Sequence, residues 1–313
     1  MNAHRRAVFK PLFILIAVLA IVTAATWGRP YWLDNSIFVA IFALMALSVG
    51  LSYGQAGILS IATGAFASIG AFGTGIVTTR FGLSPYVGLI VAIIIPPLLA
   101  WPIARTVLRL SPLPLSIATI LISQVLEIAV REGGDFTGGY IGLSGIPRLS
   151  IAASAQSMHF LAWGCVIVAL VLYINLMDSA LGRAVRTARH DALRATADGV
   201  GVTNLLSSTF ALSASLAGVA GWLYAHHLTY MGPDSLTTHV SIQALLMAVV
   251  GGAHTFLGPI IGAALLLLVT LFLPAAETQG MFFGAMLVFV LVVAPRGIVG
   301  WRWFGKLRSI DGH

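Results

Sequence analysis

The chain has 313 residues, of which 58% are hydrophobic and only 9% are charged. A soluble protein of this size carries far more surface charge, so the composition excludes one and indicates an all-α polytopic membrane protein. The formal net charge of +7 comes from few residues that mostly flank apolar runs, which favours a topology signal over nucleic-acid binding. Because each span takes roughly 20 apolar residues, about ten transmembrane helices fit, without an added soluble domain. We expect one transmembrane domain, residues 1–313.

Ten apolar runs predict the helices of this domain. They lie near residues 11–28, 34–51, 58–79, 85–104, 113–130, 158–177, 205–228, 240–253, 259–274 and 280–295. The run at 58–79 is crowded with glycines, and the run at 240–253 is short before Gly251 and Gly252. Either of these two spans can therefore be broken or re-entrant.

Basic residues indicate the orientation of the helices, since cytoplasmic connections collect Lys and Arg. With the N-terminus in the cytoplasm, ten spans place thirteen of the 17 basic residues inside. The four outside are Arg29, Arg80, Arg131 and Arg148. An odd number of spans would move a basic cluster outside, so we predict ten spans with both termini cytoplasmic.

The connection at residues 178–201 has the pattern of one short amphipathic helix. At 100° per residue its arginines share one sector, and small residues occupy the opposite one. The arginines are Arg183, Arg186, Arg189 and Arg194, and the small face has Ala184, Val185, Ala188, Ala192 and Ala195. Asp198-Gly199-Val200-Gly201 supplies a helix stop. The helix can meet anionic lipid, or its small-residue face can pack against a partner protein.

Several motifs resemble the branched-chain amino acid ABC transporter permeases of the LivM and LivH type. They occur in family order between about Gly50 and Gly300: Gly54-Gln55-Ala56-Gly57-Ile58-Leu59-Ser60, Gly64-Ala65-Phe66, Thr137-Gly138-Gly139, Gly182-Arg183-Ala184, Phe210 to Gly221, Val250-Gly251-Gly252 and Gly258-Pro259. The external Thr137 motif is similar to the LivM branch. One departure is Arg189-His190-Asp191 followed by Arg194, where family members commonly carry acidic residues.

The resemblance implies a permease that works with a second permease subunit, as a heterodimer, two cytoplasmic ATPase subunits and an extracytoplasmic solute-binding protein. It also implies a bacterial cytoplasmic (inner) membrane location, contact with membrane lipid, and branched-chain or related small amino acids as cargo. Because the sequence has no Gly-x-x-x-x-Gly-Lys-Ser/Thr pattern, we expect no enzyme activity and no cofactor in this chain, with ATP bound by the partner subunits. The implied ATPase-docking residues are Arg183, Arg186, Arg189, Ala192, Ala195 and Gly199.

Other functions remain open at this point. Members of the same family handle urea or short amides, and a stand-alone secondary carrier or facilitator needs no ATPase. The scarcity of ionisable residues inside the spans counts against a proton-coupled carrier. An intramembrane enzyme has no support from known catalytic motifs.

Candidate pathway residues follow from the rule that broken backbone at membrane depth occurs only within protein or beside a wet cavity. They are Gln55, Gly57, Ser60, Gly64, Phe66 and Gln243, with tight helix packing as the alternative for the glycines. Gln55, Gln124 and Gln243 can hydrogen-bond a zwitterion or bridge helices. Glu127 precedes Arg131 by four residues, which predicts a local ion pair, with a role in substrate passage as the alternative. His226 and His227 are expected at the membrane interface. The loop from Arg131 to Ser157 either meets the binding protein or covers the pore.

Overall fold

A computed structural model describes most of the apolar core of the chain. The described residues are 11–20, 22–23, 28–108, 112–271, 282, 284–286, 288–290, 292 and 297–300. Half of the residues of the helix predicted at 280–295 lie outside this set, as do the basic groups at both termini.

Helices account for nearly all of the regular structure in the described residues. They are α1 Pro11–Ala20, α2 Pro30–Val49, α3 Thr63–Thr79, α4 Pro85–Val107, α5 Pro112–Glu132, α6 Gly134–Thr137, α7 Ala155–Asp178, α8 Ala180–His190, α9 Ala192–Ala197, α10 Val202–Leu228, α11 Thr238–Gly251 and α12 Gly258–Thr270. Two short helical segments, a π-helix at Gly50–Gln55 and a 3-10 turn at Ser150–Ala152, complete them. Strands β1, Leu143–Ser144, and β2, Tyr230–Met231, form one small antiparallel pair.

Five helical stretches among the described residues are long and apolar enough to cross a membrane. They are Pro30–Gln55, Pro85–Val107, Pro114–Glu132, Ala155–Asp178 and Val202–Leu228, while Pro11–Ala20, Thr238–Gly251 and Gly258–Thr270 are shorter apolar helices. The all-α membrane fold is therefore confirmed. The sequence placed most of these helices within a few residues of their observed bounds.

The centre of the bundle is formed by α2 and α10, which pack against each other and against α3, α4, α7 and α12. Small residues allow α3 and α10 to approach closely. A Cβ atom on Gly70 would lie 2.3 Å from the carbonyl oxygen of Gly218, and one on Gly221 would lie 1.8 Å from that of Ala67. The predicted close packing through small residues is confirmed here.

The α2–α3 connection is irregular inside the bundle. The last turn of α2 widens into the π-helix, in which the Ser52 hydroxyl donates to the Ser48 carbonyl (3.1 Å). Gly57 follows with φ +74°, and the backbone stays non-helical until α3 begins at Thr63. The run predicted at 58–79 is thus a broken span, because its first residues are drawn into non-helical contacts with α5 and its helix has only 17 residues.

The bundle has two distinguishable ends. One carries β1 and β2, with Leu143 paired to Met231, and is called the strand end. The other carries α8 and α9 and is called the α8 end. The turn after α2 and the turn between α11 and α12 both reach the α8 end, since Gly54 and His254 each contact Arg189 of α8.

Candidate functional site

The surface segment at residues 178–201 is two helices, so the prediction of one continuous helix is wrong. The Ser179 hydroxyl caps α8 by accepting from the Gly182 amide (3.3 Å). Asp191 then adopts extended backbone (φ −152°, ψ 97°), and its Oδ1 accepts from the Arg194 amide (2.9 Å) to cap α9. A carboxylate at this position competes with helix continuation by capping a new helix, which local periodicity does not reveal.

The small-residue face of this segment packs on its own chain. Gly182, Val185, Ala188 and Ala195 are all buried, and Ala195 has no exposed surface. The prediction that Ala195 contacts a partner is therefore wrong, whereas Ala192 is exposed. Gly199, at φ +81°, follows α9, and the Val200 amide bonds back to the Ala195 carbonyl (3.0 Å), which closes the helix end.

The exposed side of α8 and α9 is charged and carries two exposed apolar side chains, Leu181 (59%) and Leu193. Leu193, 85% exposed, is the most exposed large hydrophobic residue in the described part of the chain. A cleft of about 520 Å³ is lined by Arg183, Arg186, Thr187, His190, Asp191, Arg194 and Asp198. Sequence reasoning missed Leu193, although a leucine within a charged run at the helix break was a usable signal.

Arg189 connects α8 to both neighbouring turns at the α8 end. Its guanidinium donates to the Gly54 carbonyl and lies against the His254 ring, with Nη1 3.2 Å from Nδ1. His254 Nδ1 also lies 2.9 Å from the Gly54 oxygen. The stem of Arg189 rests on Gly57, where an added Cβ would lie 3.1 Å from Arg189 Cγ. We call these four residues, Arg189, Gly54, Gly57 and His254, the Arg189 junction.

Gln55 extends the Arg189 junction into the bundle. Its Nε2 donates to the His254 carbonyl (3.2 Å), so it ties the turn after α2 to the turn between α11 and α12. Tyr173 of α7 donates to the Gly50 carbonyl (3.0 Å) and fixes the π-helix from the other side. Two predicted pathway residues, Gln55 and Gly57, are thus brought together with a predicted docking residue, Arg189.

The other predicted pathway residues lie elsewhere in the bundle. The Gly64 amide donates to Ser241 of α11 (2.8 Å), and Phe66 packs edge-on against Phe210 with ring centres 5.6 Å apart. Ser60 is buried, and its hydroxyl has no hydrogen-bond partner within the described residues. Gln243 lies apart from these residues, beside Leu246, Met247 and Leu266.

A polar face on α5 was missed by sequence reasoning, apart from Gln124, Glu127 and Arg131. Ser116, Thr119, Ser123, Glu127 and Arg131 follow one another at three- and four-residue spacing, which places them on one side of the helix. Thr119 accepts from the Ile61 amide (3.0 Å), and Ser123 donates to the Ile61 carbonyl (3.0 Å). Gln124 donates to Thr238 of α11 (3.1 Å). The spacing of the polar residues was the signal that could have revealed this face.

The predicted Glu127–Arg131 ion pair is confirmed, with 2.8 Å between Oε1 and Nη2. Arg131 also contacts the carboxylate of Asp234, which follows β2 and was not predicted as a partner. A small gap of about 10 Å³ lies beside Glu127. It is lined by Ala65, Ser68, Ser123, Leu126, Glu127, Pro233, Leu236, Thr237 and Thr238.

His226 lies two residues before the end of α10, and its position at the membrane interface stays a prediction. His226 is buried, with Nδ1 2.7 Å from the Pro147 carbonyl and Nε2 3.0 Å from the Thr74 hydroxyl. It holds the loop after β1 onto the bundle, because α10 carries it inward rather than outward. His227 lies 3.0 Å from Asp34 at the start of α2.

The loop from Arg131 to Ser157 is partly structured by α6, β1 and the 3-10 turn. Its apolar side chains Phe136, Tyr140 and Ile141 are exposed to solvent. Tyr140 donates to Glu132 (3.1 Å), and this hydrogen bond raises the pKa of the tyrosine. Among the described residues, no group of three His, Cys, Asp or Glu side chains is placed to hold a metal ion.

These features define a multi-pass membrane protein with an irregular, polar-lined interior and a charged surface segment. The chain belongs to the family described as "Branched-chain amino acid transport system / permease component", whose model matches residues 31–291. It is therefore a transport permease by family.

Curated relatives agree with this assignment. The chain is similar to the high-affinity branched-chain amino acid transport system permease protein LivM of Escherichia coli K12, with 25% identity covering 93% of this chain and 75% of the relative. LivM of Salmonella typhimurium is 24% identical with the same coverage. LivH of Salmonella typhimurium is 26% identical over 83% of this chain and 91% of the relative. No solved structure gives a significant match.

Proposed function

We propose that this chain is one of two permease subunits of an ABC importer for branched-chain amino acids in the bacterial cytoplasmic membrane. Two ATPase subunits dock on α8 and α9, and an extracytoplasmic binding protein delivers solute at the strand end. The observation that carries the proposal is the Arg189 junction, in which a side chain of the surface segment joins two turns of the helix bundle. Ten spans and cytoplasmic termini belong to the same proposal, with the basic residues as its support.

The ATPase contact surface in this proposal is the exposed side of α8 and α9. Leu193 provides an apolar anchor, and the cleft with Arg183, Arg186 and Arg194 provides charge around it. An exposed leucine surrounded by charged residues resembles the centre and rim of a protein interface. Anionic lipid would pair with the arginines. It would account for the exposed Leu193 only if the segment inserted into the membrane.

Coupling follows from the contacts of Arg189. When ATPase closure moves α8, the guanidinium carries the Gly54 carbonyl and the His254 ring with it. Gln55 links the same turns through the His254 carbonyl, so the ends of α2, α11 and α12 move together. The irregular backbone between the π-helix and Thr63 is where such a movement can change the shape of the pathway.

Cysteine cross-linking tests the docking surface. In a chain whose single native cysteine, Cys165, is changed to alanine, we expect Ala192→Cys and Leu193→Cys to form cross-links to a cytoplasmic ATPase. Ala195→Cys, on the buried side, is the matched control and is expected to remain unlinked. Equal cross-linking at all three positions, or none at Leu193, would contradict the docking surface.

A stand-alone carrier is the competing function. The purified chain in liposomes, with an imposed ion gradient and no ATPase, is expected to give no leucine uptake above protein-free liposomes. ATP-dependent uptake should require the second permease, both ATPases and the binding protein. Binding of urea or short amides instead of leucine by that binding protein would change the cargo while leaving the importer class intact.

A further inference from the structure

The part of the α5 polar face that lies toward the strand end carries an excess of negative charge. Glu127, Arg131 and Asp234 form a chain of two carboxylates around one guanidinium. Glu132, which follows Arg131 in the sequence, instead accepts a hydrogen bond from the Tyr140 hydroxyl (3.1 Å). When ionised, Glu127 and Asp234 carry two negative charges, and Arg131 carries one positive charge. One negative charge is left over, which a second cationic group would neutralise.

The surroundings of Glu127 suit the ammonium group of a small molecule that also carries an aliphatic side chain. Glu127 is mostly buried, with 15% of its side chain exposed, whereas Asp234 is 77% exposed. Besides Glu127, the gap is lined by four hydroxyl-bearing residues, Ser68, Ser123, Thr237 and Thr238. Its other walls are aliphatic: Ala65, Leu126, Pro233 and Leu236. Hydroxyls and a carboxylate accept hydrogen bonds from an ammonium group, and the aliphatic walls can pack on a branched side chain.

We infer that Glu127 is the binding group for the α-ammonium of the transported amino acid within the permease. This inference rests on the proposed import function and names a substrate site inside it. When the ammonium arrives, Arg131 stays with Asp234 and releases Glu127, so each of these three side chains keeps an oppositely charged partner. The residues argued to receive the aliphatic side chain are Leu126 and Leu236.

The described conformation is closed around this site. A gap of about 10 Å³ has room for roughly one water molecule, so a leucine enters only after the walls separate. α5 is suited to such a movement, because hydrogen bonds of Thr119, Ser123 and Gln124 join it to Ile61 in the connection before α3 and to Thr238 of α11. Hydrogen bonds of this kind can be exchanged for water or substrate at small net cost.

Uptake of radiolabelled L-leucine by proteoliposomes containing the complete importer tests the site. Glu127→Gln keeps the shape of the side chain and removes the charge, so we expect leucine uptake to fall at least about tenfold. Assembly of the Glu127→Gln chain with the second permease and the ATPases should be unchanged, because the Arg189 junction is intact. Glu127→Asp retains the charge and should transport better than Glu127→Gln. Uptake by Glu127→Gln within about twofold of the unchanged complex would overturn the inference.

An inverted pair separates substrate binding from a structural ion pair. Glu127→Arg combined with Arg131→Glu can rebuild the local pair, and we expect it to leave uptake low, because no carboxylate faces the gap at position 127. Recovery of uptake in this double variant would show that the pair only holds α5. If the complete importer without substitutions shows no ATP-driven uptake, the proposed function fails instead.

Chemical labelling provides a readout with Glu127 in place. In the Cys165→Ala background, Thr237→Cys puts a thiol in the wall of the gap. During ATP turnover, a cationic thiosulfonate reagent is expected to label this thiol about tenfold faster than an anionic one. L-leucine delivered by the binding protein should slow the labelling. Equal rates for both reagents, or no protection by leucine, would overturn the inference.

Discussion

Gly221→Val is expected to destabilise the helix bundle strongly. A Cβ atom at this position would lie 1.8 Å from the Ala67 carbonyl oxygen and 2.7 Å from its carbon. Both are backbone atoms of α3, so no rotamer change relieves the contact and the two helices must separate. Overpacking of a core costs about 1–3 kcal/mol where side chains can adjust, and we expect at least the upper value here.

Thermal unfolding of the purified chain in detergent measures this effect. Gly164→Val is the matched control, since Gly164 is also a glycine inside a long apolar helix but has no atom within 4 Å of an added Cβ. The control should change the free energy of unfolding by no more than about 0.5 kcal/mol. Similar melting temperatures for the two variants would contradict the observed α3–α10 packing.

Arg189→Ala is expected to uncouple transport from ATP hydrolysis. The substitution removes the guanidinium contacts to the Gly54 carbonyl and the His254 ring while leaving α8 on the surface. A hydrogen bond to a charged group contributes about 1.5–3 kcal/mol, which corresponds to a factor of roughly ten or more. Leucine taken up per ATP hydrolysed should therefore fall at least about tenfold, with ATPase docking preserved.

Arg183→Ala is the control for Arg189→Ala. Arg183 lies on the same helix, and its Nη1 donates to the Asp178 carbonyl (3.0 Å) within the adjoining helix end. Its loss can weaken ATPase binding at the cleft but should leave uptake per ATP unchanged. Equal losses of coupling in both variants would show that charge on α8, rather than the Arg189 junction, determines coupling.

Much of the fold was predictable from local sequence. Length and apolar periodicity predicted α2, α4, α5, α7 and α10. Glycines at helical spacing predicted close packing where Gly70 meets Gly218. These features are encoded over neighbouring residues, because a helix of apolar side chains satisfies its own backbone regardless of its partners.

The sequence alone also determined the class of this protein, through motifs in family order, and the local pair of Glu127 with Arg131. Only the tertiary structure decided which side of the surface segment is free and what Arg189 holds. Arg189 and Gly54 are 135 residues apart, and Arg131 and Asp234 are 103 apart. Periodicity states which residues share a face but not what that face meets. Packing between distant elements therefore buries Ala195, leaves Leu193 exposed and joins Asp234 to α5.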